Sequence, residues 1–317
     1  MNCPNLRPTC LDEFVGKKEI KENLKIYICS AIKRKVPLDH ILLHGLPGTG
    51  KTSLATVIAN EMKSKLKIVQ GNTLQRNVDI INLTLSLSDG DTLFIDEIHA
   101  INPQIQELLY SIMEDFSIDI TLGKDFNAKP TRVSVPKFTL IGATTQLGKI
   151  SQPLEQRFGI VINLKEYDIE SLIELIQKSC VKLKISLSKS DCKKIAQNSK
   201  GIPRNANNLL KRIMDFKHFD RSMTVDTILQ KLRIFKHGLT EDDLFYLNTL
   251  KNSKNAIGLK TLAQIIGSDE NTIACKTEPF LLTNGYISKT SGGRIINDKG
   301  VELLKEMLSL ADTPKIT

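Results

Sequence analysis

Short apolar runs alternate with helical segments in the first half of the chain. Apolar runs at 39–45, 91–97 and 138–145 each end in glycine or polar residues. Segments 52–63 and 104–114 have helical composition, and the second repeats apolar residues at helical spacing. Buried strands that alternate with helices predict a parallel α/β sheet.

Residues 118–135 interrupt this pattern. Polar and apolar residues alternate there around Gly123-Lys-Asp-Phe-Asn-Ala. The alternation predicts an exposed β-hairpin inserted into the α/β domain, with an irregular surface loop as the alternative.

The second half is mainly helical. Segments 169–183, 189–199 and 205–216 have apolar residues at helical spacing. The chain is again helical from Thr240, and 285–296 predicts two short strands around a Gly-Gly turn, as in a winged helix. We therefore expect three domains, at 1–166, 167–238 and 239–317.

The net charge of the chain favours one class of binding partner. The 317 residues carry a formal net charge of +9, with 41% hydrophobic residues. Residues 166–239 have 15 basic and 8 acidic side chains, whereas 240–317 have 9 and 10. A basic chain favours a polyanionic partner such as nucleic acid. Any DNA contact in the last segment must depend on a local cluster of cations.

The cysteines and the apolar runs indicate the cellular compartment in which we expect the protein. None of the six cysteines forms a Cys-x-x-Cys pair, which argues against a zinc site and suits a reduced interior. The first residues lack the apolar stretch of a signal peptide, and no apolar run reaches the roughly 18 residues of a membrane span. We expect a cytoplasmic protein without a membrane partner.

The stretch GLPGTGKTS at 45–53 fits the phosphate-loop pattern G-x-x-x-x-G-K-[ST]. Glycines let backbone N–H groups converge on phosphate oxygens, and the helix that follows directs its N-terminus at the same charge. Lys51 is expected to neutralise the β- and γ-phosphates, and the Thr52 hydroxyl to bind Mg²⁺. A chance match in a glycine-rich turn is the alternative.

Two acids end the next predicted strand. Asp96 is expected to hold Mg²⁺, mostly through water, and Glu97 to polarise the attacking water. Capping of a helix is the alternative for this pair. His99 is interpreted as a structural histidine, with coupling to the nucleotide as the alternative.

Four further polar positions are candidates. Thr144 and Thr145 end a strand, where a hydroxyl can sense the γ-phosphate or bond to backbone. Arg157 follows a proline-containing turn, as an arginine finger requires, although a lone arginine is usually a solvated charge. Arg204 begins a helix, where it can contact phosphate or pair with its surroundings.

This order of motifs resembles the AAA+ ATPases. The finer resemblance is to the RuvB family, and it spans almost the whole chain through stretches 6–8, 39–45, 93–99, 113–116, 138–145, 153–159, 201–207 and 278–281. It implies an AAA+ P-loop parallel-sheet domain, a small helical lid domain and a C-terminal winged-helix domain.

The resemblance also implies a function. The family's members are ATP-dependent motors that drive Holliday junction branch migration in recombination and repair. The implied cofactors are ATP and Mg²⁺, and the implied assembly is a homohexameric ring around duplex DNA. The implied protein partner is RuvA, bound through the 118–135 hairpin, and a RuvC-type resolvase is a further candidate.

Residue roles follow from the resemblance by position. Leu6 and Arg7 are assigned to the adenine side, and Tyr167 near the nucleotide. The residues assigned to phosphates are Gly48, Gly50, Lys51, Thr52 and Ser53. A nucleotide-contacting subunit edge is assigned to Glu114, Asp115 and Phe116. Arg157 is assigned as the finger, Arg204 as the lid sensor, and Lys289 and Arg294 as DNA contacts.

The chain departs from the family pattern in three places. Leu46 and Thr49 replace the usual phosphate-loop residues at two filler positions, and Gln146 replaces an arginine. The wing retains only Lys289 and Arg294 as matching cations. Each lost phosphate contact removes about 0.9 log units of salt dependence, so we expect weaker intrinsic DNA affinity.

Two other classes of protein compete with a branch-migration motor. A clamp loader or replication initiator shares the ATPase motifs but lacks this hairpin together with this winged helix. A non-hydrolysing scaffold would tolerate loss of Lys51, Asp96, Glu97 or Arg157, all of which are present.

Overall fold

The computed structural model describes residues 5–122, 129–253 and 255–311. The chain divides into two compact units. The first comprises Met1–Lys184 with Ile202–Arg204, and the second Ile185–Gly201 with Asn205–Thr317.

The first unit is built on a parallel sheet of five strands in the order β2-β3-β6-β1-β7. Its strands, with a separate hairpin, are β1 (Ile41–His44), β2 (Leu66–Gln70), β3 (Thr92–Asp96), β4 (Ser117–Leu122), β5 (Lys129–Ser134), β6 (Thr139–Thr144) and β7 (Ile160–Asn163). Its helices are α1 (Lys18–Arg34), α2 (Lys51–Glu61), α3 (Asn77–Leu85), α4 (Pro103–Asp115), α5 (Gln152–Glu155) and α6 (Ile169–Leu183). The predicted parallel α/β sheet is confirmed.

Alternate residues of the central strands enter two apolar clusters, as the two-residue period of a strand requires. In β1, Ile41 and Leu43 join a cluster with residues of α1 and α2, whereas Leu42 joins one with residues of α3 and α4. Helices therefore cover both faces, which explains why β1, β3 and β6 read as continuous apolar runs.

Strands β4 and β5 form an antiparallel pair apart from the main sheet, with Ser117 opposite Ser134 and Leu122 opposite Lys129. This pair occupies the segment where the sequence predicts a hairpin. Residues 123–128, which contain the predicted turn, lie outside the described residues.

The second unit consists of helices and one further hairpin. Its elements are α7 (Lys189–Gln197), α8 (Pro203–Phe219), whose first residues belong to the first unit, α9 (Val225–Lys231), α10 (Glu241–Asn252), α11 (Leu259–Ile266), α12 (Glu270–Thr272), α13 (Glu278–Thr283), β8 (Ile287–Thr290), β9 (Gly293–Ile296) and α14 (Asp298–Ala311). The backbone of Arg294 also pairs with Ile257, which adds a third extended segment to the hairpin. The fully buried Tyr246 lies in the apolar core shared by α10, α11, α13 and α14.

Within the described part of the chain, none of the helices combines the length and the apolar character needed to cross a bilayer.

Candidate nucleotide site

The topology brings three polar strand ends to one edge of the sheet. Strands β3, β6 and β1 are neighbours, and they end at Asp96, Thr144 and His44. His44 and Thr144 lie directly opposite each other in the register. Ligands of open α/β sheets bind at this carboxyl edge.

The phosphate loop joins β1 to α2 at this edge. Gly50 caps α2 with a φ of 107°, a backbone conformation that favours glycine. The N–H of Arg204 donates to the Gly48 carbonyl at 3.3 Å. A side chain at position 48 would place its Cβ 2.9 Å from the Cβ of Arg204. The structure therefore brings Arg204 to the loop, and Thr52 and Ser53 lie in the first turn of α2.

The ammonium group of Lys51 is directed into the loop. Its Nζ donates to the carbonyls of Gly45 at 2.9 Å and Leu46 at 3.1 Å. Burial lowers the pKa of Lys51, and the carboxylates of Glu97 and Asp96 oppose this shift. The loop follows β1 and the acidic pair ends β3, so the two halves of the site lie at the same edge of the sheet.

The carboxylate of Glu97 is held by the end of β6. Its Oε2 accepts from the Thr145 N–H at 3.1 Å and from the Thr145 hydroxyl at 3.0 Å. The same oxygen lies 3.1 Å from Nδ1 of His99, which lies 2.9 Å from Oγ1 of Thr144. The threonines and His99 thus fix one carboxylate oxygen of Glu97.

Thr52 and Asp96 fit the requirements of a magnesium ion. They contribute a hydroxyl and a carboxylate at the same edge of the sheet. Mg²⁺ takes oxygen ligands and is usually bound through one or two carboxylates, retained waters and substrate phosphates. Asp96 Oδ1 accepts the Glu97 N–H at 3.1 Å, which fixes the carboxylate beside Glu97.

Tyr167, which is assigned near the nucleotide, is buried. Burial raises the pKa of this phenol, and the ammonium of Lys17 lies 4.4 Å from the ring centroid. A Cβ at Gly50 would lie 3.8 Å from the Tyr167 hydroxyl, so the ring adjoins the phosphate loop. Leu6 is half-buried and Arg7 exposed, and the Arg7 carbonyl accepts from Lys182 on α6 at 3.2 Å.

The four remaining candidates of the first unit lie at the C-terminal end of α4 and after α5. Arg157 pairs with Glu114, with Nε 3.2 Å from Oε1. Asp115 pairs with Arg132 of the hairpin. Phe116 packs against the rings of His40 and Phe138. Arg157 and Glu114 thus contact each other, Asp115 contacts the hairpin, and Phe116 packs in the core; we call Arg157, Glu114 and Asp115 the second polar cluster.

Sequence reasoning misses Gly71, which follows β2. A Cβ at this position would lie 2.4 Å from the Glu97 carbonyl oxygen and 3.3 Å from that of Asp96. Glu97 itself has a φ of 50°, which is uncommon for a residue other than glycine. The close approach of Gly71 therefore supports the unusual backbone that aims Glu97.

We expect Gly71→Ala to lower kcat for ATP hydrolysis about tenfold, with the KM for ATP changed less than twofold. The added methyl group must displace the Glu97 backbone, and small displacements of a catalytic group are costly in rate. Gly148→Ala is the matched control, because neither glycine has a positive φ and a Cβ at position 148 meets nothing within 4 Å. Equal kinetics in the two variants would contradict this role of Gly71.

The two cations assigned to DNA both bind the buried carboxylate of Glu278. Lys289 Nζ lies 2.8 Å from Oε2, and Arg294 Nε donates to Oε1 at 2.7 Å. Tyr246 also donates to Oε1, at 3.1 Å. The Arg294 side chain is only 16% exposed, whereas that of Lys289 is 48% exposed. The guanidinium is thus engaged inside the domain, and of the two only Lys289 presents a largely accessible cation.

Glu278→Gln is expected to destabilise the second unit by roughly 3 kcal/mol at pH 7, because it leaves the mostly buried guanidinium of Arg294 without a counter-charge. Burial raises the pKa of Glu278, but bonds from Arg294 and Lys289 outweigh it and leave this pKa below its ordinary value of 4.5. The carboxylate therefore stabilises the fold above pH 4.5, and this contribution is lost as the pH falls through the depressed pKa.

Hydrogen-exchange protection of segment 286–297, corrected for the intrinsic rate at each pH, measures this effect. Protection should fall on acidification in the unmodified chain and should change less with pH in Glu278→Gln. The exposed Glu302, on α14 of the same unit, provides the control Glu302→Gln. Equal protection in the two variants at pH 7 would contradict the role given to Glu278.

Models of known protein families match most of the chain. The model of the Holliday junction DNA helicase RuvB P-loop domain matches residues 6–164. The RuvB AAA lid domain matches 167–236, and the RuvB C-terminal winged helix domain matches 236–305.

Individual relatives are similar over nearly their full lengths. A Holliday junction branch migration complex subunit RuvB from Ureaplasma urealyticum is 50% identical over 302 residues, covering 94% of this chain and 96% of that protein. One from Mycoplasma genitalium is 43% identical, covering 94% and 97%. The solved Thermotoga maritima RuvB Holliday junction branch migration motor has a TM-score of 0.83 at 36% identity, covering 95% and 98%.

Proposed function

The chain belongs to the RuvB family, and on that premise we propose that it is an ATP-driven motor that moves Holliday junctions along duplex DNA. The observation that carries this proposal is the Glu97 carboxylate, held by Thr145 at the edge of the sheet that also carries the phosphate loop and Lys51. A non-hydrolysing scaffold would not need a carboxylate fixed at the edge of the sheet that carries the phosphate loop.

The chain's own residues supply the parts of an ATP hydrolase. Gly48, Gly50 and Ser53 contribute backbone N–H groups to the phosphates, and Lys51 and Arg204 contribute positive charge. Glu97 orients and polarises water, with one oxygen occupied by Thr145. Thr52 and Asp96 would hold Mg²⁺, and the ion would supply positive charge to the phosphate oxygens.

The second polar cluster serves a neighbouring subunit. We infer a closed ring of six copies in which Arg157 of one subunit reaches the phosphates bound by the next, with Glu114, Asp115 and Phe116 at the same edge. An arginine finger supplied in trans stabilises the charge that develops during phosphoryl transfer. The ring encloses duplex DNA, which the winged helix contacts through phosphates and without sequence preference.

The hairpin β4–β5 provides the docking element for RuvA, the junction-binding partner that the family resemblance implies. It is set apart from the sheet and pairs only with itself among the strands of the described residues. A RuvC-type resolvase is a further candidate partner.

ATP turnover on a synthetic four-way junction, with and without RuvA from the same source, tests the proposal. Strong stimulation by the junction together with RuvA is the expected result. Stimulation by a sliding clamp or an origin duplex, with indifference to RuvA, would indicate a clamp loader or initiator instead. Absence of turnover under all of these conditions would indicate a binding subunit.

A further inference from the structure

One face of α4 carries three polar side chains at intervals of four residues, namely Gln106, Tyr110 and Glu114. Residues spaced by four lie above one another on a helix. We call this set the α4 polar stripe. Its first member is buried, with 6% of its surface exposed, so the stripe begins inside the protein and ends at the exposed Glu114.

The outer part of the stripe surrounds the guanidinium of Arg157. The group lies 4.4 Å from the ring centroid of Tyr110, a distance at which a cation is attracted to an aromatic face. Nη2 donates to Oε2 of Glu114 at 3.4 Å, Nε lies 3.2 Å from Oε1 of the same carboxylate without a hydrogen bond, and Nη1 donates to the Pro153 carbonyl at 2.7 Å. The aromatic ring, the carboxylate and the carbonyl together restrict the orientation of the guanidinium.

The inner part of the stripe fixes the Tyr110 ring. The Tyr110 hydroxyl lies 2.9 Å from Oγ of Ser151, which donates to Oε1 of Gln106 at 3.0 Å. Gln106 in turn donates to the Ile101 carbonyl at 3.1 Å. Ile101 follows the short turn Ile98–Ala100, which Glu97 precedes. Buried polar groups that are all hydrogen-bonded hold a single geometry.

We propose that the α4 polar stripe is a positioning device for Arg157, with Tyr110 and Glu114 as positioning residues for the reaction in the neighbouring subunit. This inference rests on the proposed function, because it requires Arg157 to act in trans. In this role Tyr110 and Glu114 act through Arg157. It aims the finger by limiting the rotamers of a long side chain, so that less freedom is lost when the finger reaches phosphate.

Mixed rings separate this role from a general loss of fold. A donor subunit carrying Glu97→Gln retains the finger but cannot turn over its own ATP. An acceptor carrying Arg157→Ala retains its own site but lacks the finger. Only an acceptor site that faces a donor finger can hydrolyse ATP, so turnover in the mixture reports the finger of the donor alone.

Tyr110→Phe keeps the ring but removes its link to Ser151. Placed in the donor, it should lower the turnover of the mixture about fivefold, as expected for one lost hydrogen bond. Glu114→Gln in the donor should lower it about tenfold, because hydrogen bonds to a charged group are stronger. Either substitution placed in the acceptor should change turnover less than twofold, and the KM for ATP should stay constant.

The control variants are Tyr27→Phe for the first substitution and Glu107→Gln for the second. Glu107 is exposed on α4 and is not part of the stripe, and Tyr27 is exposed on α1. Neither control should change the turnover of the mixture from either subunit.

This inference would be overturned if the donor restored turnover and neither stripe substitution in the donor changed it. That result would leave the trans role of Arg157 intact. An equal loss from donor and acceptor would also overturn it, because a general structural role has no preferred subunit. Failure of the unmodified donor to restore turnover would refute the trans role of Arg157 in the proposed function, and the inference with it.

Discussion

Glu97→Gln is expected to lower ATP turnover by about two to three orders of magnitude while ATP still binds. The substitution keeps the shape of the side chain and an oxygen that can accept from Thr145, but it removes the negative charge that polarises water. General-base catalysis typically contributes a factor of roughly 10² to 10⁴. Steady-state turnover with junction DNA and RuvA, together with equilibrium binding of a fluorescent ATP analogue, measures the two quantities separately.

The control Glu107→Gln makes the same chemical change on an exposed face of α4 and should keep normal turnover. Branch migration of a labelled four-way junction should fall in parallel with turnover in Glu97→Gln, because the motor has no other energy source. Turnover within tenfold of the unmodified protein would assign water activation to another group. Loss of binding as large as the loss of turnover would make Glu97 a binding residue.

The central strands could be predicted from the sequence, whereas the edge strands could not. Strands β1, β3 and β6 are buried along nearly their whole length, so they appear as continuous apolar runs. Strands β2 and β7 lie at the two edges of the sheet, and most of their positions are exposed or half-buried. Their segments LKIVQ and IVIN are also too short for a clear alternation of polar and apolar residues.

The phosphate loop and the acidic pair could be predicted because their chemistry requires fixed residue types at fixed local spacing. Gly71 has no such signal, since its importance comes from a strand neighbour 26 residues further along the chain. The α4 polar stripe does have a local signal, the spacing of Gln106, Tyr110 and Glu114. The role of the stripe depends on Ser151 and Arg157, which follow the hairpin in the sequence and contact the stripe only in the folded chain.

The wing shows how charge counted along a sequence can mislead. Lys289 and Arg294 are the cations that match the family pattern, and we expected both to contact DNA. The structure places a buried carboxylate from α13 between them. A side chain's charge can be read from the sequence, but the counter-charge that neutralises it comes from packing. The wing therefore presents fewer accessible cations than its sequence suggests, and weaker intrinsic DNA affinity stays a prediction.

The two polar clusters of the first unit divide the work of one ATP site between two copies of the chain. Lys51, Glu97 and Arg204 gather around the phosphate loop, whereas Arg157 is held by α4. In the proposed ring, each ATP site lies between two subunits. One subunit contributes the phosphate loop to that site, and its neighbour contributes Arg157. The Gln106–Ser151–Tyr110 hydrogen bonds then connect the turn after Glu97 to the finger within one chain.

Arg157→Ala is expected to lower kcat about a thousandfold in homogeneous rings, since a finger arginine contributes roughly 10³ to 10⁵. ATP affinity should fall much less, because each subunit keeps its own phosphate loop. Arg157→Lys should be nearly as defective. A lysine keeps the charge but lacks the planar fork that pairs with Glu114 and the flat group that stacks on Tyr110.

The stability of the folded subunit should be nearly unchanged in both variants. Glu114 is 57% exposed, and ion pairs at exposed sites contribute at most about 1 kcal/mol. Thermal unfolding of the variants therefore provides the control for their kinetics. If kcat survived in Arg157→Ala, another cation would have to serve as the finger. If kcat fell only in parallel with stability, Arg157 would be a structural residue of α4 and α5, and the ATP site would be complete within one chain.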